Sequence, residues 1–346
     1  LAIWLAAASA AQAPSWREAA LAAVQEQVGR DRIPGLSWAV SDGRSEPWLG
    51  GMGLADVEND VPATAATVYR LASISKPITA VLAMQLVEAG QLDLDADVHG
   101  IVRGWPEKPW PVTTRQLLAH LGGVRHYRGE AESTVHFASQ TEALPRFAAD
   151  ALLHQPGSKF HYSTYGFNLV AAVIEARTGK PFATVVRERI AVPLEAPSLQ
   201  DDDVRRIIRG RAQGYVRVDG ELRNSALLDA SYKLGGGGLC GSAVDLLRFG
   251  QGLLGDQLLS VTARQRMWTR QRTTAGDEVE YGLGFGLDRD GESLVVSHSG
   301  AQSRVSTMFY LLPEARIVVV VLCNLERVRL KPLAQAIARL CAAEGK

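Results

Sequence analysis

The sequence predicts a mixed α/β protein of the α+β kind. An antiparallel sheet is built from both ends of the chain and flanked by helices, and an all-helical subdomain lies between them. Three observations predict this. Strand patterns occur early, at Leu36 to Val40 and Trp48-Leu49, and return late, at Leu294 to His298, Val305 to Leu312 and Ile317 to Leu322. Residues from about 91 to 230 read mostly as helical patterns joined by loops with Pro and Gly. A helix precedes the first strands and another follows the last. The expected division is one catalytic domain over 14–346, with a sheet subdomain at about 14–75 and 240–346 and a helical one at about 76–239.

Ser15-Trp16-Arg17-Glu18 is a capping box opening a helix whose Leu21, Val24 and Val28 share a face. Pro34-Gly35 ends it, and Asp42-Gly43 reads as the turn of the first hairpin. Ile78 to Val87 is apolar with almost no polar face, so it predicts a helix buried on all sides, stopped by Gly90. Pro77 fits only near a helix start, which places that start close to Ser73. Thr113 to His120 opens a further helix, Thr141 to Leu153 is another, and Phe167 to Arg177 is a third, stopped by Thr178-Gly179. Asp201-Asp202-Asp203 reads as a solvated loop or helix start. Tyr281 to Gly286 is glycine-rich but strand-like. Pro313 to Arg316 forms a turn between the last two strands, and Leu333 to Cys341 a C-terminal helix.

A chain of 346 residues can bury a large core. With 37 basic and 37 acidic residues, its balance points away from nucleic acid and anionic membrane surfaces. Cys240, Cys323 and Cys341 form no CxxC, which argues against a disulfide framework or zinc site and for buried small hydrophobes. Leu1 to Ala11 is apolar and leads into small residues through Ala13. It resembles the core and cleavage site of a secretory signal without initiator Met or basic flank, and predicts export to the periplasm or medium. It is too short to span a bilayer, and no other run suits a span.

The chemistry gathers at three places. In Ser73-Ile74-Ser75-Lys76, helical spacing puts Ser73 Oγ and Lys76 Nζ on one face at a helix N-terminus. A serine hydroxyl needs a base to become a nucleophile, and a lysine whose pKa is lowered can serve. Alone, Ser-x-x-Lys occurs by chance about once in a chain of this length. The second place is Tyr162-Ser163-Thr164. A tyrosine beside a lysine can shuttle a proton, because the cation favours its phenolate. The third is His298-Ser299-Gly300 at a strand end, where small residues let a substrate backbone approach. GxSxG and HExxH motifs are missing, and Gly235 to Gly238 lacks the Gly-Lys-Ser/Thr of a nucleotide P-loop. It reads instead as a turn with close backbone packing.

Together the three elements resemble the serine β-lactamase and penicillin-binding-protein superfamily, in its class C branch. Two further stretches resemble that branch: Thr113 to Tyr127, ending in Arg125-His126-Tyr127, and Gly236 to Phe249. Within it the motif set is most similar to the mitochondrial serine β-lactamase-like proteins and their bacterial relatives. The resemblance spans about residues 30 to 340. It implies a β-lactamase/transpeptidase-like fold and a serine hydrolase working through an acyl-enzyme, without metal or organic cofactor. Ser73 would be the nucleophile, Lys76 its proton partner, and Tyr162 the general base and acid. The backbone N–H groups of Ser73 and Ala301 would form the oxyanion hole. His298 would donate to Tyr162 or to a substrate carboxylate, with Thr164, Ser299 and Gly300 along the substrate.

Two departures stand out. Thr164 replaces the asparagine of Tyr-x-Asn, losing an amide's paired donors and acceptor. His298 replaces the lysine of Lys-Thr-Gly, losing a permanent charge. Both favour a peptidase, amidase or esterase over a strong β-lactamase. The expected partner is a small-molecule or peptide substrate. Two other roles stay open: a penicillin-acylated binding or sensor protein, and an oligomeric or filament-forming structural protein like the mitochondrial relatives.

Overall fold

The computed structural model describes residues 15–128 and 134–344, so the leader-like start of the chain lies outside it. Helix α1 (Trp16–Asp31) starts at the Ser15 capping box. Its buried face is Trp16, Ala20, Val24 and Gln27 rather than the stripe of Leu21, Val24 and Val28, which leaves Leu21 and Val28 packed at its flank. The hairpin of β1 (Gly35–Ser41) and β2 (Trp48–Asp56) follows, then the short β3 (Val61–Pro62) and β4 (Val68–Arg70). A 3₁₀ turn at Ala72–Ile74 runs into α2 (Ser75–Glu88).

Next come α3 (Thr114–Leu118), α4 (Gln140–Ala143), α5 (Thr164–Thr178) and α6 (Phe182–Val186). Gly179 closes α5 in the left-handed region, with φ 67°. The long helix expected over Thr141 to Leu153 does not form. α4 gives way to a 3₁₀ turn at Leu144–Arg146, where Pro145 supplies no N–H to continue an α-ladder.

The stretch expected as mostly helical also holds strands, namely β5 (Gln200–Asp201) and the hairpin of β6 (Tyr215–Val218) and β7 (Glu221–Asn224). Short α7 (Leu234–Gly237) occupies the glycine run expected as a turn. There a Cβ on Gly235 would lie 2.6 Å from the Phe167 carbonyl oxygen, so only glycine packs against α5 this closely. β8 (Leu239–Ser242), α8 (Ala243–Leu254) and α9 (Val261–Met267) lead to β9 (Gly286–Asp290), β10 (Ser293–Gln302), β11 (Val305–Leu312), β12 (Ile317–Cys323) and α10 (Lys331–Glu344).

The main sheet is antiparallel, with order β3-β2-β1-β12-β11-β10-β9. N-terminal β1 pairs with C-terminal β12 in the register Trp38↔Val321, which joins the two chain ends. All of β12 is buried, and its alternate residues serve two cores. Ile317, Val319 and Val321 meet α1 and α10 on one face. Val318, Val320 and Leu322 face the larger core that contains α2.

Two expectations fail for tertiary reasons. Asp202 is not solvated: it is 1% exposed and binds Arg70 Nε and Arg211 Nη1. Tyr281 to Gly286 is a loop closed by a single bridge, with β9 starting only at Gly286. Gly284, at φ 84°, lets this loop press onto α2, where a Cβ would lie 2.3 Å from Ala80 Cβ.

The three cysteines are free and buried. No helix among the described residues is long and apolar enough to cross a membrane.

Candidate active site

Ser73 lies in the 3₁₀ turn that feeds α2. The preceding Ala72 holds φ 49°, a costly backbone for an alanine, and it aims the serine out of the core. Thr307 Oγ1 donates to the Leu71 carbonyl at 3.0 Å and ties this turn to β11. Gly300, directly opposite Thr307 on β10, makes the approach possible. A Cβ there would stand 2.2 Å from Thr307 Oγ1 and 2.5 Å from the Leu71 oxygen.

Lys76, one α-turn on, is wholly buried. Its Nζ lies 3.0 Å from Ser73 Oγ, 3.2 Å from Thr164 Oγ1 and 2.7 Å from the Gly236 carbonyl oxygen. Burial, reinforced by the Lys233 ammonium, holds the amine well below its ordinary pKa of 10.5. A neutral amine donates twice and accepts once. Donation to the Gly236 carbonyl and to Thr164 leaves its lone pair for the Ser73 hydroxyl proton.

Tyr162 sits just before α5, on the same cleft as Ser73. Two histidines fix the turn that carries it. Ser163 N–H donates to His120 Nδ1 and Thr164 N–H to His126 Nδ1, each at 3.1 Å. The His120 ring lies against Tyr162, 4.2 Å between centroids. Lys76 was expected to favour a Tyr162 phenolate, but its Nζ lies over the ring face, 4.7 Å from the centroid. Burial pushes the phenol up, so Tyr162 holds its proton at neutral pH.

His298, expected to donate to Tyr162 or to a substrate carboxylate, has both ring nitrogens engaged within the protein. Its Nε2 pairs with Tyr281 OH at 2.9 Å and its Nδ1 with the Ser299 carbonyl oxygen at 2.7 Å. Burial, with help from Lys76, drops its pKa to about 3, so this imidazole is neutral.

The pairing of β10 with β9 ends at Ser297↔Gly286, and the rim of β10 beyond it borders a cleft of about 640 Å³. Ser73, Tyr162, Thr164, His298, Ser299 and Ala301 all line this cleft, while Gly300 is buried between the last two and does not line it. Tyr281 and Lys233 also belong to the site and were missed. Tyr281 was hidden in a glycine-rich run that looks like a strand. Lys233 stands beside Gly235 to Gly238, where a cation before a glycine run in an apolar stretch was the available signal. Among the described residues no cluster of acidic, His or Cys side chains suits a metal ion.

A serine on a helix-leading turn, a buried lysine one turn on, and a tyrosine facing both beside an antiparallel strand define the class of serine β-lactamases and penicillin-binding proteins. The family model described as Beta-lactamase matches residues 21–342, and the chain belongs to that family. It is 28% identical to the human "Serine beta-lactamase-like protein LACTB, mitochondrial", over 91% of this chain and 77% of that protein. It is also 28% identical to "Penicillin-binding protein 4*" of Bacillus subtilis, over 79% of this chain and 64% of that one. Esterase EstB of Burkholderia gladioli is 34% identical over 41% of this chain and 40% of its own length. A D-amino acid amidase from Ochrobactrum anthropi superposes with a TM-score of 0.82 at 21% identity, covering 96% of this chain and 99% of that one, and shares the fold.

Proposed function

We propose that this protein is a serine hydrolase that cleaves amide or peptide bonds through an acyl-enzyme. The observation that carries the proposal is the fully buried Lys76 amine 3.0 Å from Ser73 Oγ. The neutral amine takes the Ser73 proton as Oγ attacks the substrate carbonyl, forming the new C–O bond. Charge that develops on the carbonyl oxygen falls toward the backbone N–H groups of Ser73 and Ala301. Tyr162, kept protonated by its burial, gives its proton to the leaving nitrogen as the C–N bond breaks. It is reprotonated from the Lys76 ammonium, which returns the amine to neutral. Water then enters and attacks the acyl carbon as it loses a proton to the same pair, and as the bond to Ser73 Oγ breaks that proton passes to Oγ, which releases the acid and restores the free enzyme.

Ester cleavage is the second reading. It is favoured by the EstB likeness and by Thr164, whose single hydroxyl grips a substrate amide less well than an asparagine would. The neutral His298, tied to Tyr281, offers no fixed charge to a β-lactam carboxylate, which argues against efficient penicillin turnover. Intact mass after exposure to a fluorophosphonate, and separately to penicillin, tests the proposal on wild type and Ser73→Ala. Labelling by the fluorophosphonate that is lost in the variant is expected. A penicillin adduct lasting hours would move the reading to a penicillin-binding role. No labelling by either reagent would overturn hydrolysis.

A further inference from the structure

A second lysine faces the same cleft. Lys233 follows Tyr232 in the 3₁₀ turn Ser231–Lys233 that leads into α7, and it is 2% exposed. It lines the cleft together with Ser73, Tyr162 and Tyr127. Its Nζ lies 5.2 Å from the Tyr127 ring centroid and 5.4 Å from that of Tyr232. Among the described residues no carboxylate lies within ion-pair distance of it.

The acids that could have served are committed elsewhere. Asp229 Oδ2 meets His136 Nδ1, and its Oδ1 accepts the Ser231 N–H. Glu326, which lines the cleft, accepts the Arg304 N–H. Asp202 holds Arg70 and Arg211. Lys76 is in turn saturated by Ser73, Thr164 and Gly236.

Burying an ammonium without a counter-charge costs several kcal/mol, and a fold retains that cost where an incoming group repays it. Burial, with Arg70 adding to it, holds Lys233 at about 7, as expected of a cation lacking its anion. The two tyrosine rings present π-faces to the ammonium but bring no negative charge.

We propose that Lys233 is a specificity-determining residue that binds a carboxylate on the substrate, making this a hydrolase of anionic acyl compounds such as peptides with an acidic side chain. This deepens the hydrolase reading of the same cleft and rests on it for turnover. Binding of the carboxylate restores the missing counter-charge, and the Tyr127 ring borders the same spot, so that aliphatic carbons next to the carboxylate pack on an aromatic wall.

The test uses p-nitrophenyl half-esters of glutaric and adipic acids, each against the same compound capped as a methyl ester. Wild type is expected to favour at least one anionic ester by 10-fold or more in kcat/KM, mostly through KM. In Lys233→Met that ratio is expected to fall to about 1, and Lys233→Arg is expected to recover most of it. A wild-type ratio near 1, or a Lys233→Met variant that slows both esters alike, would overturn the proposal. The second outcome would mean that Lys233 acts only by depressing Lys76.

Binding of the same esters to Ser73→Ala by calorimetry separates the two readings. A 10-fold tighter hold on the anionic ester, without turnover in wild type, would keep the Lys233 site and reject the hydrolase. Equal binding of both esters in folded protein would reject the site, whether or not wild type hydrolyses them. If Lys233→Met fails to fold, the wild-type ratio and the Ser73→Ala titration still decide.

Discussion

Adding one methyl group at Gly300 tests how the nucleophile is positioned. A Cβ there would meet Thr307 Oγ1 at 2.2 Å, the Leu71 oxygen at 2.5 Å and Ala72 Cβ at 3.0 Å. Carbon to oxygen needs roughly 3.3 Å, so β10 and the Ser73 turn must part by about 1 Å. The Thr307–Leu71 hydrogen bond at 3.0 Å spans the same gap and would be lost with that movement. Overpacking costs about 1–3 kcal/mol and the bond about 1 kcal/mol more, so Gly300→Ala should destabilise the fold by about 2–4 kcal/mol.

Displacement of Ser73 by about 1 Å from the strand that faces it should cost on the order of 100-fold in kcat/KM. Hydrolysis of p-nitrophenyl acetate reads the second effect and urea unfolding the first. Gly29→Ala is the control. It lies on α1 with open space where the Cβ would go, and should leave turnover unchanged and stability within about 1 kcal/mol. Turnover in Gly300→Ala within threefold of wild type, with less than about 1 kcal/mol lost, would refute the positioning argument.

Three further outcomes are expected. Activity that needs a neutral Lys76 rises with pH and levels off well below pH 10.5, the ordinary lysine value, while Lys76→Arg, charged throughout, falls by about 10²–10⁴-fold. A flat profile from acid to alkaline pH with an active arginine variant would contradict the assignment. Asp202→Asn leaves the buried Arg70 guanidinium without its counter-charge and should cost about 3–5 kcal/mol in urea unfolding, and a loss under about 1 kcal/mol would show the pair to be dispensable. His298 has a folded pKa of about 3, below its unfolded value of 6.5. Between those pH values the unfolded chain binds the extra proton, so stability falls on acidification by at most about 1.4 kcal/mol per pH unit from this group. His298→Gln should flatten that slope between pH 6.5 and 4, and an unchanged slope would mean that the imidazole is already protonated in the fold.

The sequence by itself determined the elements whose signal is local. The apolar run after Ser73 is buried whichever way it turns, so α2 needed no partner to be recognised, and runs rich in β-branched and aromatic residues bounded by turn residues marked β10 to β12. The i, i+3 spacing of Ser73 and Lys76 places them together on any helical turn, and the residues around Tyr162 and His298 carried the family resemblance.

Other features were decided only by tertiary packing. Asp202 looks like any surface acid until Arg70, 132 residues earlier, arrives beside it. The partner of His298 is Tyr281, and the loop carrying that tyrosine is seated by the close approach of Gly284 to Ala80. Whether Lys76 and Lys233 are charged depends on how much water and counter-charge the assembled core leaves them. That is a sum over distant neighbours, and local pattern does not encode it.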